Sequence, residues 1–318
     1  MIGEDHSLTP GYVARHLPPA SKLGTNIAIL DIAQDFLLAH LYESGLFDGL
    51  VVFKGGTALR KLFAGPSGRF STDIDLAVGD LGIDRADAAT LVGEAAEVTL
   101  GPFRFRPDQS RGRWRIAVSS PFGTPSVTMK VDVGPPCWLG PEPRAFVAGT
   151  IHDRYGFALP ELPSMRLEEV LAEKIARLTR TATARDASDL VWAATTSPHS
   201  GYSRAAVRKL AVLKVWVDNL GMDGHWNPAV GARPFDPQEW LRTGRSWDDE
   251  RIGLLAHPPP RLADLEADLV RLFAWLADLG PTEQQLAACH PRDRAEVVGA
   301  IAGLPGAALT PAELWSTH

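Results

Sequence analysis

Lys54-Gly55-Gly56-Thr57-Ala58-Leu59-Arg60 and Arg69-Phe70-Ser71-Thr72-Asp73-Ile74-Asp75-Leu76-Ala77-Val78 are the two stretches that decide the fold of this chain. The first follows a short apolar run, and it predicts a strand, a glycine turn and a short helix. The second predicts a strand, in which alternate side chains share a face. Asp73 and Asp75 therefore point to one side, while Ile74, Leu76 and Val78 can enter a core on the other.

The two aspartates are the first sign of a chemical site. Parallel carboxylates about 4–5 Å apart in a partly dry place repel each other by roughly a few kcal/mol. A divalent cation that both bind removes this repulsion, and Mg²⁺ prefers one or two carboxylates together with phosphates and water. We therefore expect Asp73 and Asp75 to bind Mg²⁺, with Mn²⁺ as the alternative ion. By itself, Asp-x-Asp also marks many strand ends and turns.

The glycine run predicts a site for phosphate. Gly55 and Gly56 allow close backbone approach, Thr57 is a candidate helix N-cap, and the amide groups at a helix start can bind an anion. Lys54 and Arg60 are candidates to add positive charge there. An ordinary strand–turn–helix corner is the alternative, and the run matches neither the Walker pattern nor the dinucleotide-binding pattern. Ser71, close to Asp73, is a further candidate to contact a phosphate, or to be modified so that the site is blocked.

Charged residues in three later segments of the chain extend the candidate site. Residues 126–133 alternate like a half-buried strand, so a position beside the first aspartate strand would bring Asp132 to the metal; a solvent face explains the alternation equally well. Lys174 lies within the apolar stripe of a predicted helix and needs a negative partner, either a phosphate or an aspartate, unless it reaches solvent from the edge. Asp186 and Asp189 share a face of the next predicted helix, although Thr183 and Asp186 also fit a capping box.

Composition limits the classes of partner. The chain has 318 residues and a formal net charge of −6, which argues against general coating of nucleic acid. Alternating arginines nevertheless predict a local basic patch for NTP or RNA phosphates, or else a solvated strand face: Arg104, Arg106, Arg111, Arg113 and Arg115. Two distant cysteines, no long apolar stretch and no signal-peptide pattern predict a cytoplasmic protein without a membrane partner.

The combined motifs resemble those of the AbiEii/AbiGii family of nucleotidyltransferase toxins from type IV toxin–antitoxin systems. The resemblance rests on the two opening stretches, on Lys130-Val131-Asp132, on Glu173-Lys174-Ile175-Ala176 and on Arg185-Asp186-Ala187-Ser188-Asp189, and it covers about residues 26–195. It implies that the first stretch binds nucleotide, that the paired aspartates bind metal, and that Lys174 and Asp186 belong to the active site. The family often has Glu where this chain has Asp132, and both residues carry a carboxylate.

The same resemblance implies an α+β fold, with a nucleotidyltransferase-type mixed sheet flanked by helices and followed by a mainly helical C-terminal domain. We expect an N-terminal arm over 1–22, the core domain over 23–160 and the helical domain over 161–318. The implied activity is Mg²⁺-dependent transfer of nucleotides from NTP to RNA, with the tRNA acceptor end as the expected target and a cognate antitoxin as a partner. Transfer to a protein or small molecule, and NTP binding without catalysis, are the alternatives.

Overall fold

The computed structural model describes residues 2–18, 23–110, 113–196, 201–220, 227, 231–243, 245–246 and 261–309. The chain divides into two compact units. The sheet unit is built on Met1–Pro136 and Pro141–Ser164. The helical unit is built on Cys137–Gly140, Met165–Ile252 and Pro259–His318. Each unit is described by itself below.

A mixed sheet forms the centre of the sheet unit. Its strands are β1 Val51–Lys54, β2 Asp73–Val78, β3 Thr99–Leu100, β4 Phe103–Ser110, β5 Arg113–Ser120, β6 Gly123–Gly134, β7 Glu142–Arg144 and β8 Leu162–Ser164. Within the described residues the strand order is β3-β4-β5-β6-β2-β1-β8-β7. The β2–β6 and β1–β8 pairs are parallel, and the other neighbours are antiparallel.

The helices of the sheet unit cover the apolar face of this sheet. They are α1 Pro10–Arg15, α2 Thr25–Glu43, α3 Gly55–Ala58, which continues as a wider π-helical turn over Leu59–Ala64, and α4 Arg85–Ala95. Phe36 of α2 packs on Phe103 of β4, with ring centroids 5.1 Å apart. Gly93 of α4 lies directly against the Trp114 ring of β5. Because alternate strand residues share a face, the charged residues of β4, β5 and β6 lie on the other side of the sheet.

The described part of the helical unit is built mainly of helices. They are α5 Leu167–Arg180, α6 Ala184–Thr195, α7 Arg204–Val217, α8 Pro237–Thr243, α9 Leu262–Phe273, α10 Pro281–Ala287 and α11 Arg294–Ala302, together with the short parallel pair β9 Ala182–Thr183 and β10 Arg245–Ser246. Side-chain caps begin two of them: Thr183 accepts the N–H of Asp186 before α6, and Ser203 accepts that of Ala206 before α7. Trp216 is completely buried in this unit.

The structure confirms the predicted α+β class, a mixed sheet with flanking helices and helices in the C-terminal region. The predicted strand over 126–133 extends at both ends, to Gly123 and Gly134. The predicted helix over 311–316, and the predicted loops over 257–260 and most of 221–235, lie outside the described residues. The domain boundaries at 22 and 160 stay predictions.

None of the helices in the described residues is both long enough and apolar enough to pass through a bilayer.

Candidate active site

The parallel pairing of β2 and β6 brings the predicted carboxylates together. Asp75 is the register partner of Asp132, and Asp73 is the partner of Lys130. Neighbouring strands lie about 4.8 Å apart, so Asp75 and Asp132 stand side by side, and Asp73 shares their face one pleat repeat away. All three are half-buried. The sheet therefore presents three acidic side chains on one face, partly open to water.

Lys54 extends this row of charges to the next strand. On β1 it is the antiparallel partner of Asp75. Its Nζ lies 3.6 Å from the position that a Cβ would occupy on Gly134, near the end of β6. The ammonium group is thus close to the strand that carries Asp132, where it lessens the repulsion between neighbouring carboxylates.

The glycine turn lies directly against the acidic row. Gly55 has a φ of +79°, which an L residue adopts only with strain, and a Cβ at this position would collide with the carboxylate of Asp75. A Cβ on Gly56 would lie 2.7 Å from Nη2 of Arg69 and 3.4 Å from Oγ of Ser71. The turn is therefore lined by Asp75, Arg69 and Ser71, and only glycine fits at position 55.

Thr57 has a different position from the one predicted. The cap residue of α3 is Lys54, and Thr57 lies inside the helix. Its side chain is fully buried, and its hydroxyl donates to the backbone carbonyl of Asp73. Thr57 consequently fixes β2 against the turn through this bond, and the prediction that it caps the helix was wrong.

Arg60, predicted to add positive charge at the glycine turn, has buried partners within the fold, and its role towards a nucleotide stays a prediction. Its guanidinium is buried, donates to the carbonyl groups of Gly65 and Gly68, and lies 3.5 Å from Oδ2 of Asp31. Arg60 also lies over the ring of Phe70, 4.3 Å from its centroid. These partners belong to the loop that leads into β2 and to α2, so Arg60 acts as a structural anchor of that loop.

Arg69 is the residue that the sequence analysis missed at the turn. It is 7% exposed, and its Nη1 donates to the carbonyl of Phe70 at 2.9 Å. Its Nη2 borders Gly56. The available signal was its position just before the aspartate strand, at the end of the loop that returns to the glycine turn.

Lys174 and Asp186 belong to a buried cluster in the helical unit. Nζ of Lys174 lies 2.6 Å from Oδ2 of Asp189 and 3.3 Å from Oδ1 of Asp186. The three side chains are 3–6% exposed. The hydroxyl of Thr183 donates to Oδ2 of Asp186 at 3.0 Å, and Nη1 of Arg177 is 3.7 Å from the same oxygen. Of the two partners predicted for Lys174, aspartate is therefore the one present, and Asp189 is the closer member.

The acidic row suits a hard divalent cation. Among the described residues, no group of three His, Cys, Asp or Glu side chains converges as a complete ligand set. Asp75 and Asp132 nevertheless stand side by side beside a turn that has no side chain of its own. One or two carboxylates completed by phosphate oxygens and water are the ligands that Mg²⁺ takes in nucleotide sites. The donor set fits an ion that arrives with a nucleotide.

Comparisons with known proteins found similar chains. The family model described as nucleotidyl transferase AbiEii toxin, type IV TA system, matches residues 35–267. The structure of MenT4, a nucleotidyltransferase toxin from Mycobacterium tuberculosis, is 36% identical, covers 94% of this chain and 99% of its own, and superposes with a TM-score of 0.78. JHP933 from Helicobacter pylori is 16% identical over 83% of this chain and 96% of its own, with a TM-score of 0.44.

No curated protein sequence matches the chain. The AbiEii model nevertheless spans well over half of the residues, and MenT4 is similar along almost the whole length. The chain therefore belongs to the AbiEii family of nucleotidyltransferase toxins of type IV toxin–antitoxin systems.

Proposed function

We propose that this nucleotidyltransferase moves the nucleotidyl group of an NTP onto RNA, with the tRNA acceptor end as its target, and that it requires Mg²⁺. The in-register pair Asp75–Asp132 against the turn at Gly55 is the observation that carries the proposal. Membership in the toxin family implies an NTP substrate and a cognate antitoxin. RNA as the acceptor and Mg²⁺ as the ion are the parts that need testing.

The reaction requires positioning and charge stabilisation more than covalent catalysis. An acceptor hydroxyl oxygen attacks the α-phosphorus, the bond from that phosphorus to the bridging oxygen breaks, and pyrophosphate leaves. Asp73, Asp75 and Asp132 would hold Mg²⁺, which supplies charge for the phosphate oxygens when it is bound. Asp132, which stands beside Asp75 on the neighbouring strand, would also take the proton of the acceptor hydroxyl.

The glycine turn would bind the triphosphate tail. Gly55 and Gly56 leave the backbone approachable, and Lys54 and Arg69 bring positive charge to the two sides of the turn. The hydroxyl of Ser71 would donate to a phosphate oxygen, since its Oγ borders Gly56. Two roles stay predictions: Lys174 would neutralise phosphate charge, and Asp186 would orient either Lys174 or the acceptor end.

Incubation of each radiolabelled NTP with total RNA tests the proposal. We expect wild-type protein to label RNA in the presence of Mg²⁺, and we expect labelling to stop when the ion is chelated. Asp75→Asn and Asp132→Asn should each reduce labelling on the order of a hundredfold or more, because both displace the reacting groups. Asp87→Asn is the matched control, because Asp87 is an exposed carboxylate on α4, which packs against the apolar face of the sheet.

The outcomes separate the rival functions. Equal labelling by Asp75→Asn and wild type would remove the proposed site. Label on a protein or a small molecule instead of RNA would keep the reaction class and reject the acceptor. NTP binding without release of pyrophosphate would reject catalysis altogether.

A further inference from the structure

A strip of exposed cations lies on the polar face of the sheet, beyond the acidic row. We call it the cation strip, and its members are Arg104 and Arg106 of β4, Arg113 and Arg115 of β5, and Lys130 of β6. Lys130 is the register partner of both Asp73 and Arg115, and Arg106 pairs with Ala117, two residues after Arg115. Because residues two apart share a face, the strip and Asp132 lie on the same side.

The strip is not needed to hold the sheet together. All five side chains are exposed, whereas the residues between them, such as Phe105 and Ile116, are buried in the core. Among the described residues, no side chain of the strip forms an ion pair within 4.0 Å, although Asp108 is the register partner of Arg115. Five cations on one face repel one another, and of the described carboxylates only Asp73, Asp132 and Asp108 stand next to any of them in the register. This charge calls for a polyanion outside the fold.

The dimensions of the strip suit a strand of nucleic acid. Steps of two residues along a strand cover about 6.8 Å, and neighbouring strands are about 4.8 Å apart. Lys130 is therefore one such step from Asp132, and the arginines continue outward over two further strands. A strand whose end reaches the acidic row would lay its preceding phosphates along the cations.

The side chains between the cations indicate how such a strand is recognised. By strand alternation, the other side chains beside the cations on this face are Asp108, Ser110, Ala117, Ser119, Ser126 and Thr128. None of them is aromatic, so this part of the sheet offers no surface on which bases can stack. Contacts to phosphate position a nucleic acid but carry no sequence information. Binding along the strip is thus independent of base sequence.

We propose that the cation strip binds the phosphates of the acceptor RNA strand that precede the reacting end. This inference rests on the proposed function and adds the path of the acceptor to it. Arg111, which the sequence analysis grouped with these arginines, lies outside the described residues.

Anisotropy of a fluorescent RNA hairpin with a short single-stranded 3′ end tests the strip without catalysis, in the absence of NTP. The variant combines Arg104→Gln, Arg106→Gln and Arg115→Gln. Its control combines Arg261→Gln, Arg271→Gln and Arg292→Gln, which removes three arginines with 84%, 65% and 78% exposed side chains. We expect the strip variant to bind at least about tenfold more weakly, and its slope of log affinity against log salt to fall by about 0.7 per lost phosphate contact. The control variant should keep the wild-type slope.

Kinetics give a second measurement. The strip variant should raise the KM for RNA while the KM for NTP and kcat stay unchanged, because the acidic row is intact. Equal RNA binding by the two triple variants would overturn the inference. If the strip variant lost antitoxin binding but kept RNA binding, the inference would be overturned in favour of a protein partner. If the loss of RNA binding in the strip variant depended on RNA sequence, recognition through phosphates would be overturned. If RNA bound through the strip but was never labelled, the proposed function would be rejected, whereas the role of the strip in RNA binding would stand.

Discussion

Gly55→Ala tests the link between the glycine turn and the acidic row. Two separate effects act at this position. The backbone has a φ of +79°, which costs an L residue roughly 1–2 kcal/mol. The new Cβ also meets the carboxylate of Asp75, and overpacking of this kind costs roughly 1–3 kcal/mol. We therefore expect the free energy of unfolding to fall by about 2–5 kcal/mol in total.

Gly82 offers a matched control. Its φ is +69°, and a Cβ there would have no atom within 4 Å, so Gly82→Ala measures the backbone effect alone. Urea unfolding should show that Gly82→Ala lowers the free energy of unfolding by about 1–2 kcal/mol. The additional loss in Gly55→Ala then measures the cost of the contact with Asp75. In an Asp75→Gly background, the effect of Gly55→Ala should shrink to the value of the control.

Activity provides the second readout. A displacement of Asp75 by about 1 Å should lower nucleotide transfer on the order of a hundredfold, whereas Gly82→Ala should keep it. The reasoning would be refuted if Gly55→Ala were no more destabilising than Gly82→Ala and left transfer unchanged. In that case the turn would not lie against the acidic row.

Two further predictions concern buried charges. Lys174→Met leaves Asp186 and Asp189 buried without their cation, so urea unfolding should show a loss of about 3–5 kcal/mol; a loss below about 1 kcal/mol would contradict the cluster. Burial raises the pKa of Asp31, but the positive charges of Lys61 and Arg60 outweigh this and hold it well below its usual value. The ionised carboxylate therefore stabilises the fold above about pH 4, the unfolded pKa, and this stabilisation is lost as the pH falls through the lower folded pKa. The difference in unfolding free energy between wild type and Asp31→Asn should shrink in acid, and a constant difference would count against it.

Strand alternation was the part of the site that the sequence could predict. It assigned Asp73 and Asp75 to one face, because the period of two is a local property of an extended chain. It did not decide whether Asp132 belongs to the site or to a solvent face, because the order of strands depends on contacts between distant residues. Only the pairing of β6 with β2 decides that Asp132 stands beside Asp75.

Arg60 shows why the partners of a buried side chain could not be predicted from the sequence. The helix after the glycine turn widens into a π-helical turn over Leu59–Ala64, which shifts the directions of its residues. Arg60 and Lys61 consequently turn towards α2, where Asp31 and Asp35 are buried. The two acids lie in a helix whose apolar periodicity gave no sign of them, so their cations could not be assigned from sequence.

The two strands at the β7 end of the sheet were not predicted, for a simpler reason. The strands β7 and β8 have three residues each and contain Pro143 and Pro163. Such segments are too short to show alternation, and proline is confined to edges and bulges of sheets. The position of β8 next to β1, and of β7 next to β8, follows from tertiary packing alone.

The parallel contact between β2 and β6 has a consequence for the cell that makes this toxin. The two strands are joined through β3, β4 and β5, so a ribosome completes Asp73 and Asp75 long before it reaches Asp132. A nascent chain, or a fragment that stops before Gly123, has the glycine turn and two acids but lacks the strand that completes the centre. We therefore expect no nucleotide transfer from the chain until β6 has been synthesised and has paired with β2.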